Sequence, residues 1–145
     1  MKRAAAAAAF SLALAGCGYA ELSLVIGIGD GEDAWLEIES PTTAGYWETG
    51  DSAIALAGSA FVPPGSTCSG TLGTLAPGYR VSWSNTATGQ SGLAEAWLDC
   101  SGLAEVRWRT APIALAIGTN PIAVGALDAD GRSGSDAITV YRYTR

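Results

Sequence analysis

The residues able to do chemistry in this chain are few. The 145 residues hold three cysteines, at 17, 68 and 100, fourteen carboxylates and no histidine. Without histidine the commonest general base and metal ligand is missing. There is no Gly-x-Ser-x-Gly elbow, zinc motif or phosphate loop in the sequence. Glu37 and Glu39 share a strand face, but a glycosidase needs two acids across a cleft, which one small domain rarely provides. Asp128-Ala129-Asp130-Gly131 followed by Asp136 has calcium-loop spacing, and alternating carboxylates suit a hard cation. The closing glutamate of such a loop is absent, so Asp128, Asp130 and Asp136 read first as a polar hairpin turn. The expectation is a protein that is not an enzyme and has no cofactor.

Aromatic residues offer a different chemistry. Trp83 and Trp108 alternate with branched residues and read as core. Trp35, Tyr46, Trp47 and Trp97 are candidates for a contact surface, since clustered exposed aromatics mark binding sites. Tyr46 and Trp47 lie in the turn-rich stretch SPTTAGYWETGD and have no evident core partner. Stacked aromatics also suit sugar rings, which makes a glycan the second candidate ligand. The formal charge of −6 and the lack of any cationic run exclude the phosphate neutralisation on which nucleic-acid binding depends.

The N-terminus bears on where these residues work. Met1-Lys2-Arg3 is followed by an apolar, alanine-rich run to Ala13, then by Ala15 and Gly16. That charged, apolar, small-residue order is that of a secretory signal, and the run is too short to span a bilayer. Leu14-Ala15-Gly16-Cys17 resembles the lipobox of bacterial lipoproteins. The resemblance implies cleavage after residue 16, acylation of Cys17 with palmitate-type chains, and a membrane anchor. Two or more acyl chains hold a protein stably on a membrane, each buried methylene contributing about 0.8 kcal/mol. Gly18, where an aspartate would resemble an inner-membrane retention signal, favours the outer membrane of the envelope. With Cys17 given to lipid, Cys68 and Cys100 remain as a pair. Export leads to an oxidising compartment, so the pair is expected as a structural disulfide.

The elements that must position these residues read as strands. Gly, Ser, Thr, Asn, Asp and Pro punctuate the chain every eight to twelve residues, and no long stretch carries a helical apolar period. Strands are expected at 22–28, 35–39, 54–61, 79–84, 93–98, 104–109, 120–127 and 137–143. Ile113, Leu115 and Ile117 continue the apolar theme. From Ser40 to Arg142 the chain resembles a bacterial immunoglobulin-like domain. The residues carrying this are Ile54–Ala60, Val81-x-Trp83-x-Asn85, Trp108 with Ile113 and Leu115, and Gly118-x-Asn120-x-Ile122-x-Val124-x-Ala126-x-Asp128 with Gly131 and Gly134. It implies an all-β, immunoglobulin-like β-sandwich over 40–143. Residues 1–16 form the signal, and 17–39 a lipidated linker that adds an edge strand. Such sandwiches host many unrelated roles. The functional expectation is a non-catalytic binding or structural module for an envelope or cell-surface protein.

Overall fold

The computed structural model describes residues 34–145, so the expected signal, lipobox, Cys17 and 22–28 strand lie outside the described residues. Those residues form strands and no helix, hence no helix long and apolar enough to cross a membrane. The strands are β1 (Leu36–Ser40), β2 (Tyr46–Thr49), β3 (Ala53–Ile54), β4 (Ala57–Ala60), β5 (Thr67–Ser69) and β6 (Leu72–Thr74). They continue with β7 (Arg80–Asn85), β8 (Gln90–Asp99), β9 (Glu105–Arg109), β10 (Ile113–Ala114), β11 (Gly118–Leu127) and β12 (Ser133–Arg142).

Alternation makes these strands. In β9, Val106 and Trp108 are buried while Arg109 is exposed; in β11, Asn120, Ile122, Val124 and Ala126 face inward and their neighbours outward. Successive side chains of a strand point to opposite faces, so such segments bury one row each. The main ladder runs β1-β4-β9-β8-β7-β11-β12-β2, and β3 and β10 pair separately. All its pairings are antiparallel except that of β12 with β2.

The long strand β8 turns this ladder into two layers. Its first half, residues 90–94, pairs with β7, and its second half, residues 95–99, pairs with β9. One sheet is therefore β1-β4-β9-β8 and the other β8-β7-β11-β12-β2. Their inner faces enclose a single core of Leu36, Ile38, Leu56, Phe61, Val81, Leu98, Val106, Trp108, Ile113, Leu115, Ile122, Val124, Ile138 and Val140. Trp108 donates its indole N–H to the Ser59 carbonyl at 3.1 Å, so the largest core side chain leaves no polar atom unpaired.

The opposite seam closes without a backbone ladder. The Ile38 N–H donates to the Asp136 carboxylate at 2.9 Å, and the backbone of Trp35 lies over Gly134. A Cβ on Gly134 would come within 2.5–2.7 Å of Trp35 backbone atoms, so only glycine lets β1 approach β12.

Two buried asparagines fix the crossing from β9 to β11. The Asn120 amide donates to the carbonyls of Ala116, Gly118 and Val140, and its oxygen accepts the Ala116 N–H. Asn85 donates to Asn120 Oδ1 at 3.1 Å and to the Ala114 carbonyl at 3.1 Å. Cys68, on β5, is bonded to Cys100, at the end of β8, with Cα atoms 5.9 Å apart. The bridge ties the β5–β6 hairpin to the sheet. That hairpin, the split of the expected 54–61 strand into β3 and β4, and the strand character of Tyr46–Thr49 all depart from the sequence reading.

Asn120→Ala is expected to cost about 2–3 kcal/mol in urea unfolding, because several buried backbone groups lose their partner together. Reduction of Cys68–Cys100, whose residues are 32 apart, should lower unfolding free energy by up to about 3–4 kcal/mol through loop entropy.

Candidate functional site

The four candidate aromatics fall on three separate surfaces. Tyr46 and Trp47 form the start of β2, the last strand of the ladder. They do not sit in a loop. Tyr46 lies opposite Thr139 of β12, Trp47 opposite Val140, and Glu48 opposite Tyr141. Val140 is fully buried, so Trp47 leans over the margin of the core, while Tyr46, Glu48 and Tyr141 stand on the outer face. Tyr46 is 48% exposed, Trp47 39%, Tyr141 40% and Tyr143 44%. The Tyr46 hydroxyl donates to the Glu48 carboxylate at 2.7 Å, and that hydrogen bond, ahead of burial and charge, raises the phenol above its ordinary range.

The backbone of this edge is half used. The Thr139 N–H donates to the Gly45 carbonyl at 2.9 Å and the Tyr143 N–H to the Thr49 carbonyl at 3.0 Å. In a parallel pair, the N–H and C=O of one residue point to the same side, and successive residues alternate. Residues 45, 47 and 49 thus face β12. The N–H and C=O groups of Tyr46 and Glu48 face away from it, toward an edge that no other strand among the described residues covers.

Trp97 belongs to the other sheet. It lies on the outer face of β8 with the Arg109 guanidinium 5.4 Å from its ring centroid, and Arg109 in turn pairs with Glu95 at 2.9 Å. Leu72, Gly73, Glu95, Trp97, Leu98 and Arg109 line a shallow depression of about 320 Å³. Beside it, Arg107 bridges Glu39 at 3.0 Å and Glu105 at 2.9 Å, and Ser59 donates to Glu39. Glu39 is thereby held in an ion-pair lattice, while Glu37 lies on the same face opposite Ser59. Trp35 precedes β1 at the seam over Gly134. The four aromatics singled out in the sequence are thus not one cluster. Tyr141 and Tyr143, which complete the β2 edge, escaped the sequence reading because β12 declares its inward row, Ile138 and Val140, and says nothing of its neighbours.

The broad outer face of the second sheet carries small residues. One row across it is Leu93, Ser82, Gly125 and Ser135; the next is Ser91, Ser84, Ala123 and Ala137. All of these but Ala137 floor a depression of about 560 Å³ open to solvent.

The acidic turn does not gather its carboxylates. Asp128 is buried; it accepts the N–H groups of Asp130 and Arg132 at 2.9 Å each and pairs with the Arg132 guanidinium at 2.7 Å. Asp136, eight positions on, serves Ile38 and its own neighbour Ala137. No group of three His, Cys, Asp or Glu side chains able to hold a metal occurs among the described residues. Tyr79 donates its hydroxyl to the Phe61 carbonyl at 3.1 Å; burial, then the charge of Asp128, raises its phenol.

Burial pushes the Asp128 carboxyl upward, but the hydrogen bonds and charge of Arg132 and the Asp130 N–H outweigh it, so the net shift is downward. A carboxylate depressed on folding contributes stability above its unfolded pKa, about 3.9, and that contribution is lost as pH falls through the folded value. Unfolding free energy is expected to fall on acidification below about pH 4, with a shallower fall in Asp128→Asn, measured by urea titration at stepped pH.

No protein-family model matches the chain, and no curated protein matches it in sequence.

Proposed function

We propose that the chain is a lipid-anchored protein of a bacterial envelope whose immunoglobulin-like β-sandwich is a non-catalytic contact module. The observation that carries the contact is the β2 edge. Exposed Tyr46, Tyr141 and Tyr143, with Trp47 on the inner margin, flank backbone donors and acceptors that no strand among the described residues uses. Open edges recruit another chain by strand addition, where main-chain hydrogen bonds give affinity and side chains give selectivity. The occupant is a protein of the envelope or cell surface.

The topology supports the immunoglobulin-like assignment. A first edge strand pairs with the fourth, a neighbouring short strand joins the last strand in parallel, and the two sheets share a strand. The anchor rests on Leu14-Ala15-Gly16-Cys17, and the disulfide suits an exported protein.

A second reading, a glycan-binding module, is favoured by one feature. Trp97, with the Arg109 guanidinium over its ring and Glu95 beside it, lines a depression with Leu72 at its rim, a mixed aromatic and polar surface.

A photo-cross-linking residue at position 46 or 47, activated in intact envelopes, is expected to trap a protein. The same probe at Leu103, exposed in the turn between β8 and β9, should trap none. Equal yields at Leu103, or none at 46 and 47, would reject the edge. Alkyne-palmitate labelling should mark the wild type and be abolished in Cys17→Ser. A glycan array that responds to Trp97→Ala and ignores Tyr46→Ala/Trp47→Ala would favour the second reading.

A further inference from the structure

We infer that the strand received by the β2 edge is β2 of a second copy of this chain, joined antiparallel about a two-fold axis through Trp47. The inference rests on the edge-contact reading above and names its partner.

The pattern of free groups selects this arrangement. The open N–H and C=O groups belong to Tyr46 and Glu48, the two residues flanking Trp47. In an antiparallel ladder, directly opposed residues alternate between pairs that exchange two hydrogen bonds and pairs that exchange none. With Trp47 facing its symmetry mate as a non-bonded pair, Tyr46 faces Glu48 of the partner copy, and Glu48 faces its Tyr46. Both opposed pairs then exchange two hydrogen bonds, so four form and every open group of Tyr46 and Glu48 is used. A two-fold interface requires such self-complementarity, each patch serving as both halves of the contact.

The side chains agree with that register. Tyr46 and Glu48 already form a hydroxyl–carboxylate hydrogen bond within one chain, on the outer face. Across the axis each hydroxyl meets another carboxylate, and no carboxylate directly opposes its own copy. On the inner side the two indoles meet at the closer, non-bonded spacing, where aromatic cross-strand pairs stabilise a sheet. Each Trp47 leans over the margin of its own core, so the pair closes two open margins at once.

The edge is short and carries one charge, Glu48, but lacks the other usual safeguards. Native edge strands are commonly blunted by lysine, proline or a bulge. Tyr46-Trp47-Glu48-Thr49 has no lysine or proline, and its register with β12 is unbroken. Four residues make a small contact, which in free solution gives a weak dimer. Tethering on one membrane raises the effective concentration and compensates for that weakness.

The test uses the full chain in detergent, with micelles in excess of protein, followed by sedimentation over a range of about 1–200 μM, where weak association is visible by mass action. Wild type is expected to shift reversibly from monomer to dimer. Glu48→Pro removes an N–H that β12 does not use, so the melting temperature should stay near wild type while dimer affinity falls at least about tenfold. Trp47→Cys should give an interchain disulfide on mild oxidation, since the non-bonded pair sets Cα atoms about 4.5 Å apart, within bridging range. Ser133→Cys, at the other end of β12, should not.

A monomer across the whole range overturns the inference, as does a dimer indifferent to Glu48→Pro, or a Trp47→Cys chain that dimerises without cross-linking. A monomeric chain whose position-46 photoprobe traps a different polypeptide overturns self-pairing and leaves the edge-contact reading standing. Absence of both dimer and photoproduct removes the two together.

Discussion

The arrangement depends on one strand being hydrogen-bonded to two sheets. β8 gives residues 90–94 to β7 and residues 95–99 to β9, so a single ladder folds over on itself and encloses a core. Two layers joined along one seam must still close along the other. There the chain has no ladder to spend. It uses a carboxylate, Asp136, to accept the Ile38 N–H, and a glycine, Gly134, to let the Trp35 backbone come close. With β1 lying against the inner side of β12, the lateral hydrogen bonds of β12 stay open for β2. The outermost position of β2 among the described strands, and hence the groups of Tyr46 and Glu48 that those strands leave open, follows from that geometry.

The buried polar groups are arranged around the same problem. Long crossings between sheets leave backbone groups without ladder partners, and unpaired buried groups are costly. Asn120 satisfies four of them and hands its oxygen to Asn85 as well. Thr110 does the same on a smaller scale, since its hydroxyl accepts the Leu56 N–H while its own N–H donates to the Leu56 carbonyl. The core is apolar in its bulk and polar at the points where the chain changes sheet.

Much of the core was legible in the sequence because period-two alternation is a direct record of burial. Val106 with Trp108, and Ile122 with Val124 and Ala126, declare inward rows that the structure keeps. Edge elements leave a weaker record. In β2 only Thr49 is buried, so YWET reads as a turn-rich stretch. In β5 and β6 the residues are small or polar apart from Leu72, which is exposed, and the hairpin is held by the Cys68–Cys100 bond rather than by apolar burial. Asp128 and Asp136 sit at a spacing that suits a cation on paper. The hairpin register carries them to different tasks, one closing a turn and the other a seam. The aromatic edge was half visible: Tyr46 and Trp47 stand out by type, whereas Tyr141 and Tyr143 join them only once β12 is known to lie alongside.

The two broad outer faces of the domain differ in a way that reaches beyond either candidate site. One is laced with Glu39, Arg107, Glu105, Arg109 and Glu95, ions that pair laterally and stay hydrated. The middle of the other presents hydroxyls, methyls and bare backbone from Ser82, Ser91, Ala123, Gly125 and Ser135. Such a body has a wetting axis through its thickness. Any flat boundary it meets, whether a headgroup layer, a polymer mesh or a crowded neighbour, distinguishes its salted side from its neutral one and sets which way the aromatic rim points.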